Sequence, residues 1–128
     1  RIRNNSKIED NCVIGNGAEI KNSKIGINSR VSHFSYIGDS KLGKNVNIGA
    51  GTVTCNYDGK LKHSTFIGDD VFIGSGTMLV APVKIFSNSR TGAGSVVKND
   101  VKSGETVVGS PAKPISKENK KSQDNSNV

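Results

Sequence analysis

Aliphatic residues return at every sixth position along this chain, and a period of six leaves few folds open. The phrases begin at Ile2, Ile8, Ile14, Ile20, Ile25, Val31, Ile37, Leu42 and Ile48, resume at Ile67, and run on through Ile73, Leu79, Ile85, Thr91 and Val97. A second register lies two residues upstream, where small residues stand: Ser6, Cys12, Ala18, Ser23, Ser29, Ser35, Ser40 and Val46, then Thr65, Val71, Thr77, Val83, Ser89 and Ser95. This register survives the five-residue steps from Ile20 to Ile25 and from Ile37 to Leu42, so the missing residue is lost from a turn and not from a strand. Such a period is too short for a helix pair or a propeller blade and has the form of a hexapeptide β-helix. Strand alternation then sends the aliphatic and the small residue inward and the residue between them outward. The expected architecture is an all-β parallel β-helix with three phrases to a coil. Glycine follows many of the aliphatics, as at Gly26 and Gly43, where the expected reason is a turn that needs unusual backbone angles.

At 128 residues, with no tryptophan, the chain is one domain whose buried surface must come from stacked aliphatics rather than large rings. No apolar run approaches the ~20 residues of a membrane span, and the N-terminus lacks a basic-then-apolar leader pattern. The expectation is a soluble, cytoplasmic protein. Cys12 and Cys55, without any C-x-x-C, read as reduced thiols, Cys12 at a small-residue core position. The formal charge of +7 comes from scattered lysines and arginines without a nucleic-acid-binding signature, so a small anionic ligand is enough to explain it and no nucleic acid is expected. Part of the excess belongs to the polar tail, expected to be disordered from about Lys117.

Residues about one coil apart stack on one face. Arg3 and Lys21, 18 apart and each following an inward isoleucine, should therefore sit one above the other. Adjacent cations repel unless an anion lies between them; a phosphate would serve, and a solvated pair is the plain alternative. His33 should project from a turn, with a side chain suited to taking a proton near neutral pH. Tyr36 and Asn47 occupy outward positions nearby and could hydrogen-bond a polar ligand beside it. Phe66, Phe72 and Met78 are apolar at outward positions, which suggests contact with another subunit. His63 reads as a loop residue. A zinc site of three histidines, as in γ-type carbonic anhydrases, is not available to a chain with two. The phrases "GSGTM" and "GAGSV" are ordinary repeats and not nucleophile motifs.

The rhythm breaks once. Between Ile48 and Ile67 the stretch "TCNYDGKLKH" lacks aliphatic corners apart from weak ones at Thr54 and Leu61, and "YDG" is a turn signal. A loop is expected over about 53–65. Ala50 lies 17 residues beyond His33, one short coil, so the loop should begin beside that histidine.

The stretch "HFSYIGDSKLGKNVNIGAGTVTCNYDGKLKHSTFIGDDVFIGSGTMLVAP" resembles the C-terminal acetyltransferase domain of the bifunctional N-acetylglucosamine-1-phosphate uridyltransferase/glucosamine-1-phosphate acetyltransferase family, a group of hexapeptide-repeat acyltransferases. The resemblance spans about Arg1 to Pro114. It implies a left-handed coil, a homotrimer with sites between subunits, and acetyl transfer from acetyl-CoA to the amine of glucosamine-1-phosphate. It implies His33 as general base, Arg3 and Lys21 on the phosphate, and Tyr36 and Asn47 on the sugar. Ala50, Asn56, Tyr57, Ser75 and Ala93 would line the acetyl-CoA site, some from a neighbouring subunit, with Lys113 standing where the family often carries an arginine. No metal is implied for this domain; magnesium belongs to the uridyltransferase half, which this chain lacks. The chain opens in mid-repeat at "RIRNN", so an N-terminally truncated domain over 1–116 and a tail over 117–128 are expected. Other readings keep the coil but change the acceptor to another amino sugar, or make it a non-catalytic trimeric scaffold.

Overall fold

The computed structural model describes residues 1–116; the tail at 117–128, expected to be disordered, lies outside the described residues. The chain winds as a coil with three parallel sheets for walls. The first sheet stacks Lys7–Ile8, Lys24–Ile25, Ser40–Leu42, Thr65–Ile67 and Val83–Ile85. The second stacks Val13–Ile14, Arg30–Val31, Asn47–Ile48, Phe72–Ile73, Arg90–Thr91 and Thr106–Val108, closed by an antiparallel return at Lys113–Pro114. The third stacks Glu19–Lys21, Tyr36–Gly38, Val53–Cys55, Met78–Val80 and Val96–Val97.

The register is the one that the two sequence periods require. Ile20 pairs with Ile37, Ile25 with Leu42, and Val31 with Ile48, so each inward aliphatic rests on the one a coil below. These side chains are fully buried, each worth about 1.5–3 kcal/mol of transfer free energy. The small upstream residues fill the corners, and serine there is satisfied by backbone carbonyls, either of a neighbouring coil or, as at Ser40, of its own. Ser29 donates its hydroxyl to the Gly43 carbonyl at 3.0 Å and accepts from the Val46 N–H at 3.0 Å. Cys12 is half-buried against the core with its thiol 3.1 Å from the Gly26 carbonyl.

The glycines that follow the aliphatics have a different purpose from the one expected. They do not adopt the left-handed region; instead, atoms of a neighbouring strand or turn, backbone in most cases, occupy the space of a Cβ. At Gly49 a Cβ would lie 2.5 Å from the Ser75 nitrogen and 2.7 Å from the Gly74 carbonyl carbon. The left-handed positions come two or three residues after the aliphatic and, apart from Phe34, are held by asparagine, aspartate or other glycines, such as Asn28 (φ 60°), Asp70 (φ 57°) and Gly51 (φ 71°). In the two short steps the left-handed residue, Asn22 or Asp39, follows its isoleucine by only two positions, so the missing residue is indeed lost from the turn.

Phe66, Phe72 and Met78 do not share a face. Phe66 stands on the first sheet, 6.4 Å from the Phe86 ring; Phe72 stands on the second, 4.8 Å beneath the Arg90 guanidinium; Met78 stands on the third. Six-residue spacing advances one wall per phrase, so neighbouring phrases point in different directions. The three therefore stand on three different walls of the coil.

The break in rhythm is also narrower than 53–65. Val53–Cys55 is a regular strand with Thr54 buried, and Thr65 begins the next one. The departure covers 56–64 and is a small hairpin, with a Tyr57–Lys62 antiparallel bridge, Gly59 at φ 97°, and Leu61 exposed at the tip.

Candidate active site

The third sheet has two edges, and the sequence places different chemistry along each. At the edge shared with the second sheet, the turns stack into a column. The Gly51 N–H donates to the His33 carbonyl (3.0 Å), the Gly76 N–H to Ala50 (2.8 Å), and the Gly94 N–H to Ser75 (2.8 Å). His33, Ala50, Ser75 and Ala93 therefore occupy equivalent places on successive coils, about 4.8 Å apart. His33 is exposed, and its Nδ1 has room because Gly15 lies below: a Cβ there would sit 3.2 Å from Nδ1 and 2.9 Å from the His33 nitrogen.

The opposite edge, shared with the first sheet, collects charge. Lys21 donates to Asp39 at 3.2 Å, and Arg3 donates to Glu19 at 3.2 Å. Asp39 also accepts from Asn22 at 2.8 Å and from Asn56 at 2.7 Å. Burial of Asp39 opposes ionisation, but hydrogen bonds from Asn22, Asn56 and Lys21 outweigh it and hold the carboxyl below its usual value. The hairpin brings a third cation to this edge. A hydrogen bond to the Lys62 amine in its neutral form, and then one to Asp39, holds Lys21 above the ordinary lysine value, while the same bond and the charge on the Lys21 ammonium push Lys62 below it. Arg3 adds to the repulsion on Lys62.

Lys62 was not among the residues singled out by the sequence, because it lies in the stretch without periodic corners. The turn at "YDG" marks a reversal of the chain, and the structure adds the Tyr57–Lys62 pairing across it. His63 is likewise more than an isolated loop residue. Its Nε2 lies 2.7 Å from Asp58 Oδ2, while Asp58 Oδ1 accepts the Lys60 and Leu61 N–H groups, each at 2.8 Å. The Leu61 N–H, the His63 ring and the Lys60 N–H together bring the Asp58 carboxyl down to about 2.

Tyr36 connects the edges. Its strand lies between them, and its ring folds over Gly38, where any Cβ would collide with the phenol oxygen. The hydroxyl accepts from the Asn56 amide at 3.3 Å. Asn47, by contrast, faces outward from the second sheet, around the corner from Tyr36, so one flat face does not carry both. Asn56 is buried at the charged edge and Tyr57 is exposed beside it, across the third sheet from Ala50, Ser75 and Ala93 of the same chain. The hairpin thus leaves from the edge opposite His33 and not from beside it. Lys113 is exposed on the antiparallel return, next to Val108. Among the described residues, no group of three or more His, Cys, Asp or Glu side chains could hold a metal ion, and no helix is long and apolar enough to cross a membrane.

Comparison with known proteins agrees with this architecture. Residues 64–99 match the model for the bacterial transferase hexapeptide (six repeats). The chain is 60% identical over 101 residues to the bifunctional protein GlmU of Dichelobacter nodosus, covering 79% of this chain and 22% of that protein. It is 54% identical to the GlmU of Baumannia cicadellinicola (84% and 23%) and 50% identical to that of Thermosipho melanesiensis (93% and 26%). The chain thus spans about a quarter of the length of the curated relatives it matches. Among solved structures, it superimposes on a hexapeptide-repeat acetyltransferase of Vibrio cholerae complexed with acetyl coenzyme A, with a TM-score of 0.77 at 21% identity over 88% of this chain and 70% of that one. A Caulobacter crescentus GDP-perosamine N-acetyl transferase, in complex with CoA and GDP-perosamine, gives 0.70 at 21% identity over 88% and 54%. A sixfold sequence period, a three-walled parallel coil and these similarities together show that the chain belongs to the hexapeptide-repeat transferases and is homologous to part of GlmU.

Proposed function

We propose that the chain is the acetyltransferase part of a GlmU protein, moving acetyl from acetyl-CoA to the amine of glucosamine-1-phosphate and so supplying N-acetylglucosamine-1-phosphate for UDP-N-acetylglucosamine synthesis in the cytoplasm. The observation that carries this reading is the third sheet itself: a potential base stands at one edge and a cluster of Arg3, Lys21 and Lys62 at the other. Glu19 and Asp39 offset part of this charge, and a sugar phosphate lying across Tyr36 would give the three cations a further anion to share. Its amine would then reach toward His33.

In the reaction, the amine nitrogen attacks the thioester carbonyl carbon and a C–N bond forms. His33 takes the proton from nitrogen, the C–S bond breaks, and CoA leaves as the thiolate. Holding both reactants along one sheet supplies the rest of the acceleration by orientation. The cosubstrate would run up the column from His33 past Ala50, Ser75 and Ala93, with Lys113 beyond. Asn56 and Tyr57 lie across the sheet from that column, and Asn47 lies around the corner from Tyr36. A homotrimer, in which a neighbouring chain completes each site, accounts for both separations.

The test is acetyl-CoA-dependent thiol release with glucosamine-1-phosphate, alongside sedimentation of the same sample. Turnover by a trimer is expected. A monomer with full activity would contradict the shared site, and no turnover with this acceptor would contradict the assignment.

A further inference from the structure

The turns of the coil follow one rule and break it once. Among the described residues, every non-glycine residue at positive φ is an asparagine or aspartate, except at the turn that carries His33, where Phe34 adopts φ 57°. Short polar side chains tolerate this geometry because they hydrogen-bond locally. A phenylalanine has no such compensation, and its Cβ crowds the following carbonyl. Burial does not account for the choice either, because Phe34 is 69% exposed, the most open of the large hydrophobic residues among those described.

The ring has a defined seat. It lies against Gly17, the left-handed residue one coil below: a Cβ on Gly17 would sit 2.5 Å from Cδ1 and 2.6 Å from Cε1 of Phe34. The side chain therefore extends from His33 toward the N-terminal coils, which carry Arg3 and Lys21, and away from Ala50 and Ser75. A strained aromatic left 69% exposed beside His33 buries little surface in return for its strain, and strain of this kind clusters where a ligand uses it.

We propose that Phe34 is the apolar wall of the acceptor subsite, packing its ring against the C–H face of the amino sugar so that the amine is presented to His33. The inference rests on the acceptor reading above. It makes Phe34 a specificity-determining contact on the sugar side of the site, with Gly17 left bare to receive the ring.

Phe34→Asn installs the residue that other turns use. The expected result is a folded chain whose KM for glucosamine-1-phosphate rises about tenfold while its KM for acetyl-CoA stays within about twofold. Phe34→Leu should recover most of the loss. The chain has no tryptophan, so Phe34→Trp places a sole indole at the wall, and its emission should shift on adding glucosamine-1-phosphate but not coenzyme A. An active wild type, an unchanged KM in Phe34→Asn and a silent indole would overturn this inference and leave the acceptor reading standing. Dissociation of the assembly in Phe34→Asn, with both KM values raised, would also overturn it, because the ring would then be subunit packing. A wild type that acetylates no phosphorylated amino sugar would overturn both.

Discussion

Gly51 donates its backbone N–H to the His33 carbonyl at 3.0 Å, and this bond sets where the coil can do chemistry. It fixes Ala50 one rung above His33, and the same contact repeated by Gly76 and Gly94 extends the column past Ser75 to Ala93. A flat ladder of turns therefore leads away from a single imidazole.

His33→Ala should lower kcat by about 10²- to 10⁴-fold, the usual contribution of a general base. The exposed side chain fills no core position, so circular dichroism and the thermal midpoint should stay as in the wild type. Thiol release from acetyl-CoA measures the first quantity. A variant with wild-type kcat would remove His33 from the mechanism.

The two kinds of glycine should respond differently to substitution. In Gly26→Ala the new Cβ meets the Gly43 carbonyl, which is backbone and cannot swing aside, so a loss of about 1–3 kcal/mol is expected. Gly94 is left-handed (φ 73°) with nothing within 4 Å of a Cβ, so Gly94→Asn should cost less than about 1 kcal/mol. Urea denaturation of both variants checks the contrast.

Much of this was legible in the residues. Two periodic registers, such as Ile37 with Ser35, were enough for the coil, the core and the loss of turn residues in the short steps. Stacking arithmetic brought Ala50 to His33. What the period could not carry was which wall an outward residue faces, since each phrase rotates to the next side; hence Phe66, Phe72 and Met78 separate. The hairpin at 56–64 has no period at all, so the place of Lys62 beside Lys21 depended on a turn and a cross-hairpin bridge that only three-dimensional register reveals. The role of the glycines was misread because close approach between coils leaves the same residue in the sequence as a left-handed turn does.

Acid should loosen the hairpin at low pH. Asp58 titrates near 2 in the folded chain, below its unfolded value of about 3.9, so its contribution is fully present above about pH 4 and is lost as the pH falls toward 2. Carboxyl carbon shifts followed by NMR should show that midpoint. His63→Phe should move it upward by removing one of the bonds to the carboxylate, while a midpoint near 3.9 in the wild type would contradict the bonding described.

On the proposed reading, the cations of one edge hold a phosphate while His33 works at the other. The most direct measurement is kcat/KM for glucosamine-1-phosphate against glucosamine, in the wild type and in Lys62→Ala. The expected result is a preference of at least about 10²-fold for the phosphorylated acceptor, narrowed by about 10- to 100-fold in the variant, mainly through KM. Equal rates with the two acceptors in the wild type would contradict it.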